Sequence, residues 1–266
     1  MPDEIVIDVK KVVKQFDGRT ILDGISLQVP AGKITVIMGG SGGGKSTLLR
    51  NLIGLSVPEE GEIWIGGKNI VGMGEPEMNE VRCTFGMLFQ SSALFNSITV
   101  GENVALPLRE HTSLSEEIMK IIVKVKLELV GLTGFENFMP HQISGGMKKR
   151  VALARAIALD PKIVFYDEPG AGLDPITASM IDQLILDLSQ KLRITSVVVT
   201  HEMKSAFRIA DQIIILHKGR VLEVGSRERI LQSKDPYVQQ FIKGEPEGVI
   251  PLKQTGEAYL KGLFET

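Results

Sequence analysis

The 266-residue sequence has little cysteine, little net charge and no long hydrophobic run. Its single cysteine, Cys83, excludes an intrachain disulfide and a CxxC metal site, and it fits a reducing compartment. The net charge is −2, the isoelectric point is near 6.1 and no long basic block occurs, so nothing attracts nucleic acid through bulk electrostatics. We therefore expect no nucleic-acid partner.

The sequence contains no stretch that predicts a membrane span. Apolar stretches such as "ITVIM" and "IIIL" run four or five residues, whereas a transmembrane helix needs about 20. The N-terminal "MPDEIVIDVKK" carries acidic residues where a signal peptide carries basic ones. We expect a cytoplasmic protein, which would depend on a partner for any role at a membrane.

The pattern of apolar residues changes twice along the chain. Short β-rich runs such as "EIVIDV" and "GEIWIGG" come first, interrupted by the helical run "KSTLLRNLIGL". From about residue 99 to 158, apolar residues recur at helical spacing, and β/α alternation then returns. This order predicts an α/β core with an inserted helical segment. After Gly244 the chain is looser, because Pro246 and Pro251 oppose regular helix.

A glycine-rich loop has the pattern of a phosphate-binding site. "GGSGGGKS" fits G-x-x-x-x-G-K-[ST] through Gly39, Gly44, Lys45 and Ser46, between an apolar strand and a helix. Its glycines let successive N–H groups turn inward around a β-phosphate. Lys45 is expected to reach the β- and γ-phosphates, and the Ser46 hydroxyl to bind Mg²⁺. A flexible linker is the alternative, but it would not be expected between a strand and a helix.

Two acids end an apolar strand in "IVFYDEP". In a parallel sheet, the carboxyl end of this strand would place Asp167 and Glu168 beside the glycine loop. Asp167 is expected to hold Mg²⁺ through water, and Glu168 to orient and deprotonate an attacking water. A surface turn is the alternative, which the nearby phosphate loop disfavours.

Two further polar residues close apolar runs at the same predicted edge. His201 ends "SVVVTHE" and could donate a hydrogen bond to a γ-phosphate. Gln90 closes "TFGMLFQ" and could reach Mg²⁺ or the attacking water through its amide. The other histidines are expected to be solvated or locally satisfied.

A second glycine-containing stretch, "ISGGMKKR" at 143–150, also predicts an anion site. A serine and two glycines lead into a helix whose first N–H groups are free to bind an anion. The "KKR" that follows is predicted to be a solvated helix face.

The order of these motifs resembles that of the nucleotide-binding subunit of an ABC transporter. "GGSGGGKST" resembles its Walker A motif, Gln90 its Q-loop, "ISGGM" its signature, "IVFYDE" its Walker B, "GLD" (172–174) its D-loop and His201 its switch histidine. The resemblance covers residues 5–232. It implies an ABC-type nucleotide-binding domain over 1–232, in which a P-loop core sheet carries an antiparallel β-subdomain and a helical subdomain inserted at about 91–158. The remainder, 233–266, would be a C-terminal extension that contacts the other chain of a dimer.

The resemblance also implies a set of site residues. The chain would bind ATP and Mg²⁺ and hydrolyse ATP as a head-to-tail homodimer. The catalytic residues would be Glu168, His201 and Gln90. The metal would be bound by Ser46, Gln90 and Asp167. ATP would contact Phe16, Gly39, Gly40, Ser41, Gly42, Gly43, Gly44, Lys45, Ser46 and Thr47 of one chain and Ser144, Gly145, Gly146 and Asp174 of the other. Phe16 would stack on adenine; its alternative is a plain core residue.

Met147 departs from the glutamine usual in the signature and resembles the branch that energises Mce-linked phospholipid transport, the Mla system. The stretches "DEPGAGLDPIT" and "DPYVQQFIKGEPEG" point the same way. This branch implies a permease docking near 91–104, a STAS-type small subunit, an Mce protein, and a location on the cytoplasmic face of the inner membrane. Leu94 and Phe95 would be exposed anchors for the permease or, alternatively, core filling.

Three other functions remain as alternatives. The same cassette could serve an importer of amino acids or another small solute, which Met147 and the tail disfavour. A DNA-repair or chromosome ATPase would carry long coiled coils, and no sustained heptad pattern occurs. A binding-only switch is opposed by Glu168, the acid that would support hydrolysis.

Overall fold

A computed structural model of the chain describes residues 4–245. The strands are β1 Ile5–Phe16, β2 Arg19–Pro30, β3 Ile34–Met38, β4 Glu60–Ile65, β5 Lys68–Asn69, β6 Phe85–Leu88, β7 Ile163–Asp167, β8 Thr195–Val199, β9 Gln212–His217 and β10 Arg220–Gly225. The helices are α1 Lys45–Leu52, α2 Glu75–Arg82, α3 Val100–His111, α4 Glu116–Leu129, α5 Gly145–Ala156, α6 Pro175–Leu192, α7 Met203–Ile209, α8 Arg227–Leu231 and α9 Pro236–Lys243, with a 3-10 helix at Pro140–Gln142.

The larger sheet has the strand order β10-β9-β3-β8-β7-β6. Strands β9, β3, β8, β7 and β6 are parallel, and β10 pairs antiparallel with β9. Every residue of β3 and of β8 is buried, because helices cover one face and α1 with the second sheet covers the other. The carboxyl ends of β3, β6, β7 and β8 therefore meet along one edge.

The smaller sheet is antiparallel, with the order β2-β1-β4-β5. Its strands alternate buried and exposed residues over much of their length, so one face packs inward while the other meets solvent. The inward face shares an apolar core with Leu48, Leu49 and Leu52 of α1 and with one face of the larger sheet. The first helix thus lies between the two sheets.

Helices α3, α4 and α5 lie in the chain between β6 and β7, as the helical periodicity of about 99–158 predicts. Thr99 and Glu102 form a capping box at the start of α3, and Ser115 caps α4. Gly86 in β6 allows α5 to pack directly on the sheet, since a Cβ there would lie 2.0 Å from the Ala156 carbonyl oxygen. This close approach fixes the position of α5 along β6.

The C-terminal extension is described as far as residue 245. Asp235 caps α9 by accepting hydrogen bonds from the N–H groups of Tyr237 and Val238. The loose tail expected after Gly244 lies almost wholly outside the described residues. Among the helices of residues 4–245, none combines the length and apolar character that crossing a membrane requires.

Candidate functional site

The glycine-rich loop joins the buried strand β3 to the start of α1. Gly44 occupies the N-cap position with φ +99, where a Cβ would lie 2.9 Å from the Leu22 side chain, so glycine is required. Among residues 4–245, no side chain caps α1. The first N–H groups of α1 and the positive end of its dipole are therefore available to an anion.

Lys45 places a buried cation over this loop. The side chain is 9% exposed, and Nζ donates to the carbonyl oxygens of Gly39 at 2.8 Å and Gly40 at 3.0 Å. Burial lowers the pKa of Lys45, and the negative charges of Glu168 and Asp167 oppose that shift. The lysine and the two acids thus occupy one electrostatic environment.

Asp167 ends β7 with an unsatisfied carboxylate oxygen. Its Oδ1 is buried and has no hydrogen-bond partner among the described residues. Burial and the charge of Glu168 raise the pKa of Asp167, while Arg50, Lys149 and Lys45 act in the opposite direction. A buried carboxylate oxygen of this kind suits a cation ligand, which would supply the missing partner.

Glu168 and His201 form a direct pair. His201 Nδ1 lies 2.8 Å from Glu168 Oε1, and Thr200 Oγ1 donates to Glu168 Oε2 at 3.1 Å. The Glu168 N–H donates to the Val199 carbonyl oxygen, which fixes the acid between the ends of β7 and β8. Its backbone has φ +46, a conformation that non-glycine residues seldom adopt and that concentrates at functional sites.

Gln90 lies next to this pair because of strand register. Leu88 of β6 is paired with Tyr166 of β7, so Gln90 and Glu168 each follow two residues later. Gln90 and Asp167 line one open cleft, together with Ser91 and Gly172. The predicted metal-binding amide and carboxylate are therefore brought together.

The second anion stretch lies at the start of α5. Ser144 is exposed and caps the helix by accepting from the Met147 N–H at 3.3 Å. Gly146 packs so closely on Thr177 of α6 that a Cβ would lie 2.5 Å from its methyl group. Asp174, exposed at the N-cap of α6, accepts from the N–H groups of Ile176 and Thr177. The signature and the D-loop are thus neighbours.

Met147 and Phe16 differ in their surroundings. The Met147 side chain is partly buried against the helical core, where a glutamine amide would need a polar partner.

Phe16, the last residue of β1, is 46% exposed, with the Lys14 ammonium 5.1 Å from its ring centroid. The alternative of a core residue is therefore excluded for Phe16.

Lys149 shows that the prediction of a solvated "KKR" face is wrong. The Lys149 side chain is buried and Nζ donates to the Gln90 carbonyl oxygen at 2.6 Å and to that of Glu168 at 3.4 Å. Burial lowers its pKa, while the charges of Asp167 and Glu168 oppose the shift. The signal that could have found it is helical spacing, since Lys149 shares a face with the buried residues Ala152 and Leu153.

Tyr237 is a second residue that the sequence motifs do not reveal. It lies on α9, and its hydroxyl accepts a hydrogen bond from the Gly40 N–H at 3.2 Å. The Tyr237 ring packs against His217 with their centroids 3.7 Å apart. The C-terminal helix therefore contacts the glycine loop directly.

In the segment predicted to face a permease, only one of the two expected anchors, Leu94 and Phe95, is exposed. Phe95 is 54% exposed, whereas Leu94 is partly buried against the helical core. Phe95 lines a cleft with Phe89, Leu106 and Pro107. The core-filling alternative therefore holds for Leu94 and not for Phe95.

These features together define an ATP-binding cassette ATPase: a phosphate loop and an acidic strand end on a parallel sheet, an antiparallel sheet, and an inserted helical segment with a second glycine-rich helix start. Residues 22–171 match the ABC transporter family, and the chain belongs to this family. The predicted resemblance, fold class and ATPase class are confirmed.

Two relatives carry the name intermembrane phospholipid transport system ATP-binding protein MlaF. The chain is 47% identical to that of Haemophilus influenzae, over 98% of each protein, and 44% identical to that of Escherichia coli, over 97% of this chain and 96% of the relative. A third, named probable ribonucleotide transport ATP-binding protein mkl, from Mycobacterium leprae, is 42% identical over 96% of this chain and 73% of its own.

Solved structures of cassettes share the fold. The cassette MJ0796 in a dimeric post-hydrolysis state bound to ADP and Pi aligns with a TM-score of 0.76 and 33% identity, over 83% of this chain and 98% of that one. CbiO1 from Clostridium perfringens, part of the complex cbiONQ, aligns with a TM-score of 0.81 and 29% identity, over 88% and 93%.

Proposed function

We propose that this chain hydrolyses ATP to drive the transport of phospholipids between membranes. The observation that carries the substrate class is the 47% identity to a protein named for intermembrane phospholipid transport, which extends over 98% of both chains. The similarity therefore reaches well beyond residues 22–171, the part that matches the family in general.

The glycine loop would hold the phosphates of ATP. Its N–H groups and the uncapped start of α1 supply donors, and the buried Lys45 supplies the charge for the β- and γ-phosphates. Exposed Phe16 would present a ring face to adenine. The set that would contact ATP in this chain is Phe16, Gly39, Gly40, Ser41, Gly42, Gly43, Gly44, Lys45, Ser46 and Thr47.

The side chains present fit a magnesium ion. Asp167 offers a buried oxygen that has no partner in the described part of the chain, Gln90 lines the same cleft, and Ser46 follows Lys45 in the first turn of α1. When bound, Mg²⁺ would neutralise charge on the β- and γ-phosphates. Asp167, Gln90 and Ser46 are the residues that would hold it.

Glu168 would act as the general base and His201 as its partner at the γ-phosphate. Glu168 accepts the proton of a water whose oxygen attacks the γ-phosphorus, and the bond to the bridging oxygen breaks to leave ADP and phosphate. His201 holds one Glu168 oxygen through Nδ1, so its Nε2 is the ring nitrogen that can face the phosphate. The 2.8 Å contact would hold both side chains for this step.

The signature would serve the ATP of a second chain. Ser144, Gly145 and Gly146 present a helix start at the surface, and Asp174 lies beside them on α6. MJ0796, at 33% identity, has a structure described as dimeric and bound to ADP and Pi. A head-to-tail homodimer would place each signature against the nucleotide of the partner.

The transport complex would lie at the cytoplasmic face of the inner membrane. A permease would dock near 91–104, where Phe95 is exposed beside an apolar cleft. A STAS-type subunit and an Mce protein would complete the complex that the similarity to MlaF suggests. The extension 233–266 would contact the other ATPase chain.

Ribonucleotide transport is the competing function, because the relative mkl is 42% identical over 96% of this chain. The two are separated by reconstituting the chain with its co-expressed permease in vesicles and measuring ATP-dependent transfer of fluorescent phospholipid. Uptake of labelled ribonucleotide and of labelled amino acids is measured in parallel. Glu168→Gln in the same complex is the control without turnover.

We expect phospholipid transfer that requires ATP and an intact Glu168. Uptake of ribonucleotide or amino acid without any phospholipid transfer would overturn the proposed substrate class. Full ATPase activity of Glu168→Gln would overturn the proposed mechanism instead.

A further inference from the structure

Lys149 is bonded differently from Lys14 and Lys126, two buried lysines that lie away from the glycine loop. Lys14 and Lys126, both nearly inaccessible, pair with the carboxylates of Glu59 and Asp160. Lys149 forms no ion pair within the described residues, and its ammonium donates to two main-chain carbonyl oxygens, those of Gln90 and Glu168. A buried cation is retained only where its donors are satisfied, so these two carbonyls determine where it lies.

The two carbonyls lie where strands β6 and β7 separate. The last pair in register is Leu88 with Tyr166, and Gln90 and Glu168 follow it by two residues each. The Glu168 N–H turns to the other neighbour and donates to the Val199 carbonyl oxygen. No ladder bond joins Gln90 to Glu168, and the Lys149 ammonium bridges them instead.

Helix α5 is also fixed away from this bridge. At its C-terminal end, Ala156 packs against Gly86 of β6 with no room for a Cβ. Arg155 donates to the carbonyl oxygens of Ser92 and Ala93, at 2.8 and 2.7 Å. Lys149 and Arg155 therefore both bind the segment that begins at Gln90, but of the two only Lys149 also reaches Glu168.

We propose that Lys149 is a positioning residue for ATP hydrolysis. Its ammonium holds the main chain of Gln90 and Glu168 so that the Gln90 amide and the Glu168 carboxylate face the same nucleotide. Helix α5 begins with the signature, which would face the ATP of the partner. The hydrogen bonds of Lys149 therefore connect this helix to the end of β7, where the Glu168 of the same chain lies. This inference rests on the roles proposed above for Gln90 and Glu168.

The test compares three substitutions in the full chain bound to its permease. Lys149→Met keeps the aliphatic stem and removes every donor, and Lys149→Arg keeps donors and charge. Lys148→Met is the matched control, since Lys148 is the half-buried neighbour and its side chain has no hydrogen bond or ion pair among the described residues. Steady-state ATPase kinetics and the affinity for a non-hydrolysable ATP analogue are measured for each.

We expect Lys149→Met to lower kcat about 10- to 100-fold, because a displacement of about 1 Å has effects of this size. Affinity for the analogue should change less than about 3-fold, since the glycine loop is untouched. Lys149→Arg should recover most of the rate, and Lys148→Met should match the wild type. If Lys149→Met does not fold, Lys149→Gln replaces it, because glutamine keeps N–H donors on a shorter stem. The kcat of Lys149→Gln should then lie between those of Lys149→Arg and Glu168→Gln.

A double-mutant cycle distinguishes positioning from general support of the fold. In a Glu168→Gln background, adding Lys149→Met should change the residual rate less than about 2-fold, because the group it positions is already lost. Each of four outcomes would overturn the inference. Lys149→Met could have a wild-type kcat, or could lose affinity for the analogue in parallel with kcat. Lys149→Arg could be folded but inactive, or the effects of Lys149→Met and Glu168→Gln on the rate could be fully additive. An active Lys149→Met beside an inactive Glu168→Gln rejects only the role of Lys149, whereas an active Glu168→Gln rejects the proposed mechanism.

Discussion

Replacing Gly86 with alanine tests how closely the signature helix must pack on the sheet. The added Cβ would lie 2.0 Å from the Ala156 carbonyl oxygen and 2.8 Å from its carbon. Ordinary contact begins near 3.4 Å, so α5 would have to move by about 1.4 Å or the strand would have to yield. Neither atom belongs to a flexible side chain, and the strain cannot be relieved by a rotamer change.

The expected cost is about 1–3 kcal/mol of unfolding free energy, the range found for overpacked cores. For a chain of this size the melting temperature should fall by roughly 2–4 °C per kcal/mol. ATP hydrolysis should fall further, by about 10- to 100-fold, because the start of α5 and the Lys149 contact would be displaced together.

Differential scanning fluorimetry and steady-state ATPase assays check the two effects. Gly74→Ala is the control, because Gly74 has φ −70 and a Cβ added there would have its nearest neighbour, Pro76 Cδ, 3.8 Å away. A Gly86→Ala protein with the melting temperature and kcat of Gly74→Ala would refute the packing argument.

Three further predictions concern the nucleotide site. Lys45→Ala should lower ATPase activity at least about 100-fold by removing the buried cation at the loop; retention of wild-type turnover would exclude a phosphate role for Lys45. Glu168→Gln should still bind ATP but accumulate as a dimer in size-exclusion chromatography, and a species that stays monomeric with ATP would count against the head-to-tail dimer. Tyr237→Phe should weaken the binding of an ATP analogue about 2- to 10-fold in calorimetry, because the Gly40 N–H loses its acceptor; unchanged affinity would show that this contact does not order the loop.

Local motifs were readable because their members are neighbours in the chain. The glycine loop, the acidic strand end and the capped helix starts depend on residues a few positions apart, and the structure places them on the elements that their patterns predict. The helical insert was also readable, since its periodicity differs from that of the flanking strands.

Contacts between distant residues could not be read in this way. The "KKR" stretch has the composition of a solvated surface, and only the packing of α5 on β6 buries Lys149 against Gln90, 59 residues away. Tyr237 meets Gly40 across 197 residues. Leu94 and Phe95 are adjacent and both apolar, but the fold buries one and exposes the other.

The sequence by itself determined that this protein is an ABC transporter ATPase, because the spacing within each motif is set by local geometry at strand ends and helix starts. Only the tertiary structure decided that Glu168 pairs with His201, 33 residues away, and that the buried Lys149 joins the main chain of Gln90 to that of Glu168. Those pairings depend on strand register and on how closely one helix approaches one strand. Both are properties of packing between segments that no local pattern records.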